Sequence, residues 1–313
     1  MFSIIIPYYN KANYIQGCVN SVLNQTCTDY EIIIVNDGST DNGLDFLLNT
    51  KHNIKIINQE NKGVSDARNI GIINAKNQYI AFLDADDCWH HNYLKQVNEL
   101  ILKETKVKII GCHYSRDSNF LNLDSQNLDY FKFNNYFKSA LKNTYFTSSS
   151  TVIAKHFFTN NDAFNPMLKS GEDIDMWLRT VYSGGNAFYI TNTLVYYSNE
   201  DENQVTNSHQ ELKNTLLGNI NSLYKNIQNT SDSKSLKKFV SIYVYFNLYT
   251  YYYDKQQHNE AKLVLKQNEN FYFLLHLLYL LPFSVGEKLV KSVIYKRYIR
   301  LYLKFIIRYF YSI

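Results

Sequence analysis

The chain is poor in proline, with 3 in 313 residues, and has four cysteines: Cys18, Cys27, Cys88 and Cys112. They form no C-x-x-C pair, so no zinc or redox site is indicated, and a chain of this size offers no disulfide framework. That usage fits a reducing compartment. A dominant charge is also missing. Lys and Arg number 32 against 28 Asp and Glu, a net +4, too little for general nucleic-acid binding, so no nucleic-acid partner is expected. Long apolar runs are absent too. No stretch reaches the roughly 18 to 20 residues that a spanning helix needs, and the longest, at 271–281, contains His276 and stops at Pro282. The apolar triplet Ile4-Ile5-Ile6 is stopped by Pro7 and has no basic flank, unlike a signal peptide. These exclusions point to a cytoplasmic chain of one to three domains with a large core.

What is abundant is tyrosine, with 28 residues. The first hundred positions alternate strand and helix signals. Residues 2–7, 31–35, 54–57 and 79–83 read as nearly continuous apolar strands. Helical patterns fall at 12–24, with Ile15, Val19, Val22 and Leu23 on one face, at 44–48 and at 63–74. Such alternation predicts an α/β fold with a mostly parallel sheet covered on both faces. Ligands of such sheets sit at the carboxyl ends of the strands, so the turns at 8–10, 36–38 and 84–86 should share one rim. Further on, 108–112 and 148–153 read as strands, 115–145 as loop and short helices, and 188–197 as sheet. Residues 170–181 open a helix carrying Met176, Trp177, Leu178 and Val181. A polar loop follows at 199–208, and from 209 the chain is helical by pattern.

The most informative stretch is 79–87, where an apolar strand ends in Asp84, Asp86 and Asp87. An unpaired buried carboxylate costs several kcal/mol, so these acids should project from the strand end toward a cation. Hard divalent ions take one or two carboxylates plus substrate phosphates. The alternative is an N-cap, with Asp86 or Asp87 starting a helix near Trp89.

Five segments occur in one order: Ser3-Ile-Ile-Ile-Pro-Tyr-Tyr-Asn10, Ile33-Ile-Val-Asn-Asp-Gly-Ser-Thr-Asp41, Asn61-Lys-Gly-Val-Ser-Asp-Ala-Arg-Asn-Ile-Gly71, Phe82-Leu-Asp-Ala-Asp-Asp87 and Glu172-Asp173. Over residues 1–205 the chain thereby resembles glycosyltransferase family 2. The resemblance implies the GT-A fold, Rossmann-like with a mostly parallel central sheet and flanking helices. It also implies inverting, metal-dependent transfer from a UDP-sugar. Residues 1–105 would form the nucleotide-sugar-binding half and 106–208 the acceptor-binding half. The helical region 209–313 matches no motif of the family.

The resemblance assigns nucleotide-sugar contacts to Pro7, Tyr8, Asp37, Gly63, Arg68, Asp84 and Asp86. Gly63 allows close backbone approach. Asp37 would accept an N–H of uracil, or else shape its own Asx turn. Asn36 departs from the Asp that many relatives carry. Arg68 would face the nucleotide, or else pair with Asp66 or a neighbour at the surface. Ala67, Ile70 and Gly71 read as packing against the sheet. Asp84 would touch the ribose or the metal shell, and Asp86 would ligate Mn²⁺ or Mg²⁺, which neutralises the UDP leaving group. Asp87 either supports the ligands or caps a helix, and Trp89 packs. Asp173 would be the general base for the acceptor hydroxyl, with Glu172 and Asp175 as alternatives; acids in a first helical turn are also what the dipole favours. An unperturbed Asp has a pKa near 3.9, so positioning rather than tuning is expected to govern it. The loop at 196–206 lacks the Arg and His of many relatives.

The implied donor sugar is a hexose or N-acetylhexosamine, and the acceptor a growing glycan, lipid-linked or at the cell surface. At 295–313 a helical pattern places Arg297, Arg300, Lys304 and Arg308 on one face, with Tyr295, Tyr298, Tyr302, Phe305, Ile306 and Tyr309 opposite. That suits an anionic membrane surface, with 271–281 inserting shallowly and the chain peripheral on the cytoplasmic face of the inner membrane. The alternative is a helix packed on the catalytic domain with its basic face in water. Two other functions fit less well. A sugar nucleotidyltransferase should carry a Gly-rich basic loop where Pro7-Tyr8-Tyr9-Asn10 stands. A non-catalytic nucleotide-sugar-binding protein would be free to lose Asp86 or Asp173, and both are present.

Overall fold

The computed structural model describes residues 1–49, 54–123, 127–198, 210–225 and 231–312. The polar loop expected at 199–208 lies outside them. The chain divides into two compact units: Met1–Phe133, Tyr145–Pro166 and Glu172–Asn207 form the first, and Asn134–Thr144, Met167–Gly171 and Ser208–Ile313 the second.

In the first unit the isoleucine-rich runs leave no face for water. Strand β1 (Phe2–Tyr8) is buried except at Pro7, and Ile32 to Val35 are buried in β2 (Tyr30–Asp37). Between them runs α1 (Ala12–Leu23), which turns Ile15, Cys18, Val19 and Val22 inward. Next come β3 (Ile54–Gln59), α2 (Val64–Asn74), β4 (Tyr79–Phe82), β5 (Cys88–Trp89) and α3 (Tyr93–Lys103). Helices α1 and α3 share a core cluster with Ile4, Ile6, Ile32 and Ile34. Successive strand residues face opposite ways, and α2 sits on the other side: a Cβ at Gly71 would lie 2.4 Å from Ile5 Cγ2. Gly71 is therefore the packing residue expected of it.

Strands β6 (Val107–Ser115), β7 (Tyr130–Lys132), β8 (Val152–Ala154) and β9 (Asn186–Tyr196) complete the sheet. Its order is β3-β2-β1-β4-β8-β6-β9-β5, with β7 also on β9. Strands β3, β2, β1 and β4 run parallel, as predicted. Beyond β4 the sheet is mixed: β8 is antiparallel to both β4 and β6, whereas β6 and β9 are parallel. A parallel return needs a long crossover, usually a helix, and among the described residues no helix longer than five residues lies between β6 and β8, which pair antiparallel.

No helix starts near Trp89. Residues 88–89 pair with β9 and α3 begins only at Tyr93, so Asp86 and Asp87 cap nothing. Trp89 is buried, stacks on Tyr93 at 4.1 Å and donates its indole N–H to Ser149 O at 2.7 Å.

The second unit contains α4 (Tyr136–Ala140). After α5 (Glu172–Tyr182) of the first unit come α6 (Leu216–Leu223), α7 (Ser231–Asn247), α8 (Tyr249–Tyr252), α9 (His258–Lys266), α10 (Phe273–His276), α11 (Phe283–Lys291) and α12 (Val293–Ile306). Among the described residues no single helix is long and apolar enough to cross a membrane. Helix α12 corrects the expected two-faced pattern. Leu303 and Ile306 are buried, so Ile306 leaves the aromatic face, and the basic and aromatic rows lie side by side with this third, buried row behind them.

Candidate active site

The turn after β1 is the hub. Asn10 adopts a left-handed backbone (φ 50); its N–H donates to Ser39 Oγ at 3.1 Å and its Oδ1 accepts from Thr40 N–H at 2.8 Å. The Tyr8 hydroxyl and the Ala12 N–H both donate to Asp41. Lys11 Nζ meets Asp86 Oδ2 at 2.7 Å. Polar contacts thus tie the turns after β1, β2 and β4 into one rim, as the parallel topology requires. Tyr8 itself differs from expectation. It is 1% exposed, because an alternate strand position turns it into the core, and its hydroxyl is engaged by Asp41. Tyr9, 46% exposed, is the ring this turn offers to solvent.

Asp37 is buried and fastens the loop that heads α2. Its Oδ1 accepts from Gln59 Nε2 and Lys62 N–H, both at 2.8 Å, and its Oδ2 from Gly63 N–H at 2.9 Å. A carboxylate has about four acceptor sites, so little capacity remains for a base. The turn-shaping bond comes from Asn36, whose Oδ1 accepts from Ser39 N–H at 3.0 Å. Gly63 takes φ 95 to start α2, a conformation that favours glycine.

Arg68 is no surface arginine. It is buried, with Nη2 2.8 Å from Asp84 Oδ1 and Nη1 3.2 Å from Glu172 Oε1. Its guanidinium lies over the Phe164 ring, 5.2 Å from the centroid. The adjacent Asn69 clasps Phe164 by both backbone groups, at 2.8 and 2.9 Å. Phe164 packs edge-on against Phe82 and Trp177, at 5.3 and 6.0 Å. This aromatic cluster joins β4, α2 and α5, and so brings the acid turn and the start of α5 to one guanidinium, although they are far apart in sequence.

Within the acid turn each carboxylate has a different partner. Burial and the neighbouring Asp84 push Asp86 up, and Lys11 opposes them. Asp87 is a strut: it accepts from Ser149 Oγ at 2.5 Å and Ser198 N–H at 2.9 Å, while Ser149 Oγ accepts from Asp84 N–H at 3.0 Å. Burial, then Asp84 and Asp86, hold its carboxyl well above the ordinary range. Among the described residues no group of three or more His, Cys, Asp or Glu forms a ready-made metal cage.

At the start of α5 the three acids separate by environment. Asp175 is buried and paired with Arg179 at 2.8 Å, and Glu172 is paired with Arg68, which removes both as free bases. Asp173 accepts from its own helix at Ile174 N–H, 2.7 Å. Burial first, then the Glu172 carboxylate, push it up to about 7, with Arg68 opposing. The expectation of an ordinary Asp is therefore corrected: desolvation beside a like charge tunes this group to neutral pH. Lys11, Asn69, Ser149 and Phe164 were not singled out from the sequence. Only Lys11 left a signal there, a base directly after the first motif.

A sheet whose parallel half ends in paired aspartates, with helices on both faces, defines the GT-A class of fold. The chain belongs to glycosyl transferase family 2, whose sequence signature matches residues 3–168. It is 37% identical to a Pasteurella multocida chondroitin synthase over 191 residues, which span 57% of this chain but 18% of that enzyme. It is 30% identical to an uncharacterised glycosyltransferase of Rickettsia typhi, over 66% of each chain. The chain thus spans about a fifth of the length of the chondroitin synthase it matches. Among solved structures, it resembles S. aureus TarS 1–349 in complex with UDP-GlcNAc, with a TM-score of 0.69 and 16% identity over 98% of this chain and 91% of that one. That likeness concerns the fold.

Proposed function

We propose that this protein is an inverting glycosyltransferase that moves a hexose or N-acetylhexosamine from a UDP-sugar to a hydroxyl of a growing glycan. The observation that carries the reading is the Arg68 bridge, which holds Asp84 at 2.8 Å and Glu172 at 3.2 Å and so sets Asp173 beside the acid turn. Asp173 would take the acceptor proton as its oxygen attacks the anomeric carbon from the face opposite UDP. Its raised pKa makes it a stronger base than an ordinary Asp once ionised. Asp86 would hold Mn²⁺ or Mg²⁺. A half-buried carboxylate already facing the Lys11 ammonium suits an ion whose remaining ligands are substrate phosphates. When bound, that ion supplies Lewis-acid stabilisation of the departing diphosphate. The UDP-sugar donor is supported by the family and by the nucleotide sugar held by the TarS neighbour.

The acceptor is read as a lipid-linked or cell-surface glycan, such as a lipooligosaccharide or capsule precursor, met at the cytoplasmic face of a bacterial membrane. The test is UDP release from a panel of UDP-sugars with Mn²⁺, with Mg²⁺ and with EDTA. Metal-dependent release from one donor, enhanced by a lipid-extracted acceptor, is the expected result. Release unaffected by EDTA removes the metal, and no release from any donor removes the reading.

A further inference from the structure

The aromatic row of α12 is uncovered. Ile294, Tyr298, Leu301, Phe305 and Tyr309 project to solvent, with Tyr298 63% and Phe305 54% exposed. At 3.6 residues per turn they form one ridge. Arg297, Lys304 and Arg308, all exposed, form a second ridge about a quarter-turn away. Arg300 lies in that basic row and also hydrogen-bonds Tyr249. Ile299, Leu303 and Ile306, on the remaining side, face inward and hold the helix to its own unit. The Tyr302 hydroxyl donates to Leu274 O of α10 at 2.8 Å. Around α10 a further apolar surface is open, with Phe271, Phe273 and Leu280 each exposed. After Glu287 the chain has no acid and seven bases.

We infer that α12 is a preformed docking face for an anionic lipid bilayer. Phe305, Leu301 and Tyr298 would enter the acyl boundary, while Arg297, Lys304 and Arg308 bind lipid phosphates. The argument is one of charge and shape together. A soluble unit seldom leaves such a large apolar ridge bare unless something covers it. A second copy is a poor occupant, because a twofold contact between these ridges sets like charges of both copies side by side. An anionic interface satisfies both rows at once, and tyrosine suits its boundary because the ring is apolar and the hydroxyl wet. Because the helix is already folded and packed, docking does not have to order it first. The inference rests on the membrane-facing part of the proposed function, but not on the chemistry of the sugar site.

The test is co-sedimentation of the full chain with phosphatidylcholine vesicles with or without about 30% phosphatidylglycerol. The expected result is binding to the anionic vesicles alone, lost in about 0.5 M salt. Replacing Arg297, Lys304 and Arg308 together by Gln should weaken binding about a hundredfold, at about fivefold per base. The pair Leu301→Ser and Phe305→Ser should also abolish it. UDP release in solution should stay unchanged in both variants. Wild-type protein that stays in the supernatant with anionic vesicles overturns the inference, as does equal binding to neutral ones. So does a concentration-dependent dimer that Phe305→Ser dissociates. If vesicle binding is seen with no donor turnover, the docking face stands and the proposed chemistry fails; the opposite pattern separates them the other way.

Discussion

Arg68→Met removes the cation that faces both Asp84 and Glu172 while keeping an unbranched, buried side chain. Deleting one partner of a buried ion pair costs about 3–5 kcal/mol, because the charges left behind, here on the half-buried Asp84 and Glu172, lose their compensation. In a domain of about 200 residues each kcal/mol lowers Tm by about 2–4 °C, so a drop of about 6–20 °C follows. The pH dependence gives a sharper test than the size. Burial and Glu172 already hold the Asp173 carboxyl at about 7 against the opposing Arg68, so without the guanidinium it keeps its proton still more firmly in the folded chain than in the unfolded one. Groups raised on folding contribute stability at low pH and lose it as pH rises through the folded value. The deficit against wild type should therefore be smaller at about pH 5, where Asp173 is protonated in both proteins, than at about pH 8, above its wild-type value of about 7. Circular-dichroism melts of both proteins in matched buffers across that range measure it. Arg68→Lys keeps the charge but loses the two-pronged fork, and should fall between the two. A shift below about 1 °C at the alkaline end, or one of equal size at both ends, would refute the claim that this side chain neutralises these half-buried acids.

Four further outcomes follow from the geometry. Asp173→Asn should lower kcat about 10²- to 10⁴-fold while donor affinity by calorimetry is retained; in the parent protein kcat should fall as pH drops below about 7, where this carboxyl takes up its proton. Asp86→Asn should abolish Mn²⁺ binding seen by electron paramagnetic resonance. Lys11→Met should tighten that binding about tenfold in the absence of UDP, because the ammonium 2.7 Å away no longer competes; unchanged affinity would show that Lys11 does not oppose the ion. Gly71→Ala places a Cβ 2.4 Å from Ile5 Cγ2 and should cost about 1–3 kcal/mol by overpacking, read as a lower urea midpoint with an unchanged slope.

Residue order alone settles the parallel half of the sheet. Runs such as Ile4-Ile5-Ile6 and Ile32-Ile33-Ile34-Val35 are local signals, and the turns that follow them must share one rim once the strands are parallel. Gly63 and Gly71 were legible for the same reason, since a helix start and a close helix–strand approach are short-range demands. The mixed half of the sheet was not legible. Strands β5 and β7 are two and three residues long, too short to carry a period, and are defined only by pairing with β9. The site divides along the same line. Asp84, Asp86 and Asp173 announce themselves as acids at the ends of apolar segments. Their partners do not, because Arg68 meets Glu172 across 104 positions and Ser149 meets Asp87 across 62. Whether Tyr8 or Tyr9 faces solvent, whether Asp37 holds a loop or is open to a ligand, and whether Asp173 titrates as an ordinary acid all depend on burial and on long-range neighbours. Those are set only when the chain has packed, since desolvation and charge proximity are properties of the folded arrangement and not of any segment within it.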